Sequence, residues 1–200
     1  LARESEIMIC AGISERANSS LYLSQVLIDQ SGELLNLRRK LKPTHVERSV
    51  FGEGYGIDLA VVDTDIGRVG QLCCWEHLQP LSKYALYSQN EQIHISAWPS
   101  FVLYKEQAHA LGAEVNMAAS QVYAVEGQCF VIAASSTIDQ SALDFFKVGS
   151  EAPRLIELGG GSSMIFAPDG KRLADYLPEK EEGLILAELD KTQITLAKAI

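Results

Sequence analysis

The residues best suited to chemistry lie in positions 71–80, which read Gln-Leu-Cys-Cys-Trp-Glu-His-Leu-Gln-Pro. An apolar strand pattern runs into a proline that suits the first turn of a helix, and a pair of thiols falls at the join. The first N–H groups of a helix have no partner inside it and carry the positive end of its dipole. Placed beside a thiol, they can lower its pKa and hold a developing anion. Strand side chains alternate, so Cys73 and Cys74 point to opposite sides; Cys74 is read as the reactive thiol and Cys73 as core. A cysteine closing an apolar strand is more often simple packing. Two adjacent cysteines followed by Trp-Glu-His are harder to assign to packing alone.

A cation that could assist such a thiol comes from upstream. Residues 33–40 have a strand pattern that delivers Lys40 at its C-terminal end, where active-site groups of sheet proteins tend to emerge, and Pro43 fixes the chain just beyond it. Thr44 and Glu47 have the spacing of a capping box, so Glu47 has a structural reading independent of any chemistry. The glycines of Gly52-Glu53-Gly54-Tyr55-Gly56 read as a flexible loop, because the flanking strand and helix of a nucleotide fingerprint are missing.

The run Gly70-Gln71-Leu72-Cys73-Cys74-Trp75-Glu76-His77, with Arg38-Arg39-Lys40-Leu41-Lys42-Pro43-Thr44-His45-Val46-Glu47-Arg48 before it, resembles the nitrilase branch of the carbon-nitrogen hydrolase superfamily. The resemblance runs over essentially the whole chain. It implies a catalytic lysine at Lys40, a cysteine nucleophile at Cys74, and a second glutamate beside the lysine at Glu47. The family's general-base glutamate belongs to a Pro-Glu-Ala-Phe-like segment that does not occur in these 200 residues. The chain is therefore expected to be one carbon-nitrogen hydrolase domain over residues 1–200, incomplete at both ends. Trp75 and Trp98 are candidates for the apolar wall that a nitrile substituent needs, or else core aromatics.

Composition narrows the remaining classes. A net charge of −9 argues against a nucleic-acid surface, and positions 38–42 hold the single basic cluster. The 47% hydrophobic content supports a sizeable core. Cysteines at 10, 73, 74 and 129 lack zinc-site spacing, so neither metal nor organic cofactor is expected, and a reducing, cytoplasmic setting fits. No apolar run reaches the length of a membrane span.

The expected elements are strands at residues 7–13, 21–28, 33–40, 58–62, 68–73, 93–97, 129–134 and 184–189, with residues 15–20 as a polar turn. A hairpin is expected across 162–176, turning at Pro168-Asp169-Gly170. Helices are expected at 78–90, with Leu81, Tyr84 and Ala85 inward; at 105–126, with Ala108, Leu111, Val115, Ala118, Ala119, Val122 and Val125 on the packed stripe; and from 191 onward. Residues 138–158 read as an irregular contact loop or pocket lid, and His94 as a structural histidine. This pattern is α/β. The resemblance implies a layered α-β-β-α sandwich and a homo-oligomer, in some relatives a spiral or filament. It also implies hydrolysis of a small organic nitrile to acid and ammonia through a cysteine thioimidate and thioester. An amidase, a cyanide-hydrating enzyme of the same superfamily, or an inactive self-assembling subunit are the alternatives.

Overall fold

The computed structural model describes residues 1–102, 108–146 and 156–199. They fall into two compact units, residues 1–97 and 98–200.

In the first unit a short helix, α1 (Ala2–Ser5), precedes an antiparallel meander of β1 (Ile9–Ala17), β2 (Ser20–Ile28) and β3 (Leu34–Arg39). The polar turn expected at 15–20 is tighter than the composition suggests. Glu15 to Ala17 continue the strand, paired to Tyr22, Leu21 and Ser20, and only Asn18 and Ser19 turn, with Asn18 at φ 55°. Cross-strand partners explain the difference: Glu15 accepts hydrogen bonds from Ser24 and Arg39, which hold its polar residues in the ladder.

Next, β4 (Val62–Thr64) pairs antiparallel with β5 (Gly67–Cys73), which pairs parallel with β6 (Ile93–Trp98). A parallel pair needs a crossover, and α2 (Pro80–Tyr87) supplies it. The strand expected at 58–62 forms later, because Asp58 ends a 3-10 turn and its carboxylate accepts from the Tyr55 and Arg39 N–H groups. Helix α2 buries Ser82 and Leu86 and leaves Leu81 and Tyr84 exposed, which corrects the inward face inferred from the sequence. The helix starts two residues later than expected, at Pro80.

The meander lies against β5 through satisfied polar contacts. Gln71 Oε1 accepts from Asn36 Nδ2 at 2.9 Å, and its Nε2 donates to Cys10 Sγ at 3.0 Å. Burial pushes the Cys10 thiol up to about 11.

In the second unit a 3-10 turn at His109–Leu111 leads into α3 (Ala113–Gly127), then β7 (Phe130–Ser135), α4 (Gln140–Phe146), β8 (Met164–Phe166) and α5 (Thr192–Ala197). The helix expected from residue 105 begins at 113; residues 105–107 lie outside the described residues, as do 147–155 of the expected lid. The buried face of α3 is Asn116, Ala119, Ser120, Tyr123 and Ala124, while Val122 and Val125 are exposed. Polar groups can occupy that face because Asn116 Nδ2 and Ser120 Oγ donate to backbone carbonyls one turn back.

β7 and β8 are antiparallel, and Gly170 at φ 82° makes the turn expected after Pro168. The returning arm is reduced to a bridge between Phe166 and Arg172. Residues 184–189 are not a strand; Leu184 and Leu186 project into solvent, so the apolar alternation there has no sheet to bury it. Among the described residues no helix is long and apolar enough to cross a membrane.

Candidate active site

Strand alternation sorts the basic run at the end of β3. Arg38 and Lys40 point inward and are each 1% exposed, while Arg39 points to the other side, where it pairs with Glu15 and its guanidinium lies 3.8 Å over the Tyr22 ring. A cluster that looks uniform in sequence is thus divided among separate carboxylates: Glu76 for Arg38, Glu15 for Arg39, Glu47 for Lys40 and Glu53 for Lys42.

The Lys40 ammonium donates to Glu47 Oε2 at 2.6 Å and to Thr44 Oγ1 at 3.1 Å. Glu47 Oε2 also accepts from the Thr44 N–H at 2.6 Å, so the capping-box reading and the lysine-partner reading of Glu47 hold together. Burial alone would push the Lys40 ammonium down, but Cys74, Cys73 and Glu47 outweigh it and hold the group above the ordinary lysine value.

The segment 52–56 is pinned over this lysine. The Gly54 N–H donates to the Lys40 carbonyl at 2.9 Å, and a Cβ at Gly54 would lie 2.6 Å from the Arg39 carbonyl oxygen. The Gly52 N–H donates to the Leu21 carbonyl, and a Cβ at Gly52 would lie 2.8 Å from the Tyr22 ring. These glycines allow close backbone approach, and the sequence expectation of a flexible loop is corrected on that point.

Strand β5 ends at Cys73 and the chain turns through a 3-10 segment, Cys74–Leu78, before α2 begins. Cys74 sits at the corner with φ 52°, a left-handed conformation that costs a non-glycine residue of order 1–3 kcal/mol. Its neighbours hold it there. The Glu76 carboxylate turns back to accept the Cys73 N–H at 2.8 Å, and the Cys74 carbonyl accepts from His77 Nδ1 at 2.6 Å.

Glu76 ties this corner to the strand that carries the lysine. Its two oxygens accept from both terminal nitrogens of Arg38 at 2.7 Å each, and from the Leu41 N–H at 2.7 Å. Arg38 is satisfied in turn by Gln25 Oε1 and by the carbonyls of Asp58 and Arg39. Both charges are fully buried, so each requires this complete set of partners. Arg38 and Glu76 are site residues that sequence reasoning misses. The available signal was the lone carboxylate Glu76 at the end of an apolar strand pattern, since a charge buried there must pair.

Around the Cys74 sulfur, burial is the strongest influence and pushes the thiol up to about 11. The Lys40 ammonium and the Trp75 N–H pull it down, whereas Glu47 and Glu76 oppose them. The expected help from Lys40 toward ionisation is present but outweighed, so the resting group is the thiol and its proton leaves during attack. Burial also pushes the Cys73 thiol up, to about 12, and Cys73, expected as core, is half-buried while Cys74 is buried, which corrects the expected exposure of the pair.

Trp75 is half-buried, and its indole N–H has no hydrogen-bond partner among the described residues. Trp98 is buried and meets Phe101 edge to face at 5.6 Å. A cavity of about 390 Å³ in the second unit is lined by Phe101, Glu114, Met117 and Tyr176, and holds none of the candidate catalytic side chains. Among the described residues no cluster of His, Cys, Asp and Glu is arranged to hold a metal ion.

The site thus combines a thiol on a strained strand-to-helix corner with a buried lysine held by a half-buried glutamate. The carbon-nitrogen hydrolase family model matches residues 1–199, and the chain belongs to that family. It is 66% identical over 199 residues to an arylacetone-specific nitrilase of Alcaligenes faecalis, covering 100% of this chain and 56% of that protein. It is also 53% identical to a nitrilase of Pseudomonas syringae, over 98% of this chain and 59% of the relative. An aliphatic nitrilase of Rhodococcus rhodochrous is 51% identical, over 99% and 52% respectively. The chain thus spans about half the length of these curated relatives.

Among solved structures, a carbon-nitrogen hydrolase from Helicobacter pylori superposes with a TM-score of 0.78 at 20% identity, covering 99% of this chain and 67% of that one. An amidase from Nesterenkonia, seen with an acetamide moiety covalently added at its active-site cysteine, gives 0.70 at 17% identity, covering 98% and 65%. These neighbours place the chain in the mixed α/β fold of the family, the α-β-β-α sandwich class.

Proposed function

We propose that the protein of which these residues form part is a nitrilase, hydrolysing an organic nitrile to a carboxylic acid and ammonia, with Cys74 as nucleophile. The observation that carries the reading is the left-handed corner at Cys74, whose thiol the Lys40 ammonium and the Trp75 N–H both pull down, with Lys40 held by Glu47. The nitrilase relatives support the choice of a nitrile as substrate. The two units are proposed to be parts of one carbon-nitrogen hydrolase domain, since the family match runs through both.

In this reading the sulfur adds to the nitrile carbon as its proton leaves, and the nitrogen gains a proton to give a thioimidate. Water adds to that carbon and ammonia departs, leaving a thioester. A second water cleaves the thioester, releasing the acid and restoring the thiol. Lys40 and the Trp75 N–H stabilise charge that develops first on nitrogen and then on oxygen. Glu47 holds Lys40 in place and keeps it charged. The water steps need a general base, which the family resemblance assigns to a glutamate in a Pro-Glu-Ala-Phe-like segment absent from these 200 residues. Trp75 and Trp98 are proposed to line the substrate's apolar part. A homo-oligomer in the cytoplasm completes the reading, with sedimentation of the purified protein as its check.

Product analysis tests the proposal. Acid and ammonia in equal amounts from an arylacetonitrile or an aliphatic nitrile support it. Amide as the sole product, or turnover of amides alone, assigns the same cysteine to an amidase or a hydratase.

A further inference from the structure

Behind the nucleophile corner lies a cluster of polar side chains for which the reaction has no stated use. His77, Glu91, His94 and Ser96 are each no more than 1% exposed. His77 Nδ1 is 2.6 Å from the Cys74 carbonyl oxygen, His77 Nε2 is 2.9 Å from His94 Nε2, and His94 Nδ1 is 2.7 Å from Glu91 Oε1. Ser96 Oγ lies 2.8 Å from His77 Nε2. Strand β5 makes room for the carboxyl group with a bare backbone, since a Cβ at Gly70 would lie 1.8 Å from Glu91 Oε1.

Proton counting constrains this cluster. A carbonyl oxygen only accepts, so His77 Nδ1 carries a proton. Two ring nitrogens at hydrogen-bond distance need one proton between them. Burial holds both imidazoles well below their ordinary pKa, with Arg38 and Glu76 the charged groups acting on them. A neutral His77 with its proton on Nδ1 offers Nε2 as an acceptor to His94 Nε2 and to the Ser96 hydroxyl, so donation runs from His94 to His77 to the Cys74 carbonyl, and Glu91 holds the far side of the His94 ring.

That carbonyl belongs to the same planar peptide unit as the Trp75 N–H, which pulls the Cys74 thiol pKa down. We propose that His94 and His77, with Glu91 holding the His94 ring, form a buried donor relay that fixes the plane of the Cys74–Trp75 peptide and so aims the Trp75 N–H at the reacting sulfur. His77, His94 and Glu91 are positioning residues in this account. Withdrawing electron density at the carbonyl also strengthens the N–H as a donor, since chained hydrogen bonds polarise one another. The inference rests on Cys74 being the reacting thiol.

The test is the pH profile of Cys74 alkylation by iodoacetamide, read by peptide mass, beside kcat and KM on a nitrile. An asparagine at 77 places its amide nitrogen where Nδ1 stands and keeps the donor to Cys74; a glutamine reaches toward His94 instead. His77→Asn is expected to keep the wild-type profile. His77→Gln is expected to slow alkylation at pH 8 about tenfold, equivalent to one pKa unit, and to lower kcat with KM little changed. Equal behaviour of the two variants overturns the proposal. Should position 77 not tolerate change, Glu91→Gln serves, because its amide can still hydrogen-bond His94 Nδ1 while Glu91→Leu cannot; a Glu91→Gln profile like that of Glu91→Leu overturns the relay. Alkylation differences without nitrile turnover sink the nitrilase reading and spare the relay, and turnover with identical alkylation profiles does the reverse.

Discussion

Replacing Glu76 with glutamine perturbs the joint between the lysine strand and the nucleophile corner at one atom. Each carboxylate oxygen accepts one guanidinium N–H from Arg38 and one peptide N–H, from Leu41 or from Cys73. An amide group keeps one acceptor and turns the other into a donor, so two buried donors lose their partner and the Arg38 charge is no longer balanced. Removing one member of a buried ion pair costs about 3–5 kcal/mol, and each orphaned donor falls in the range of about 1–3 kcal/mol within that sum. Against a domain stability of about 5–15 kcal/mol, this is a large fraction. Urea unfolding should show a midpoint shift of that size at unchanged slope, and activity should fall further than the folded fraction, because the Cys73 or Leu41 backbone is released. Arg38→Met combined with Glu76→Leu should recover part of the stability by removing both charges, but not all, since the two peptide donors stay unpaired. A loss under about 1 kcal/mol for Glu76→Gln would refute the claim that this carboxylate secures the corner.

Other predictions concern the lysine and its surroundings. Thiolate is the alkylated species, and with a thiol pKa of about 11 against an ordinary 9.0, alkylation of Cys74 should rise about tenfold per pH unit until it levels near that value. Lys40→Met removes the cation that pulls the thiol down, so the profile should move to still higher pH; a move downward would contradict the assigned sign. Gly54→Ala places a Cβ 2.6 Å from the Arg39 carbonyl oxygen, and calorimetry should show a destabilisation of about 1–3 kcal/mol together with reduced activity. Wild-type behaviour there would mean that the segment over Lys40 is loosely held.

The sequence was most legible where local pattern and tertiary role coincide. The apolar runs of β5 and β6, the proline opening α2 and the capping box at Thr44 are local signals, and each element formed within a few residues of its expected place. Lys40 and Cys74 came from motif resemblance, and the structure brings them close enough for each to influence the other's ionisation. Long-range partners hid the rest. The inward face of α3 carries Asn116 and Ser120 because backbone carbonyls accept their protons, so of the buried face hydrophobic periodicity caught Ala119 and missed the rest. Leu184 and Leu186 alternate like a strand yet find no sheet. Arg38 is separated from Glu76 by strands β4 and β5, and His77 from His94 by helix α2, so only the fold reveals that they are partners.

The central claim is that Cys74 alone of the adjacent pair forms the covalent intermediate. Acid quenching of the protein within its first turnovers on a nitrile, followed by peptide fragmentation that separates positions 73 and 74, tests it directly. An acyl or imidoyl adduct on Cys74, lost in Cys74→Ala and retained in Cys73→Ala, is the result expected. An adduct on Cys73, or turnover that survives Cys74→Ala, would contradict it.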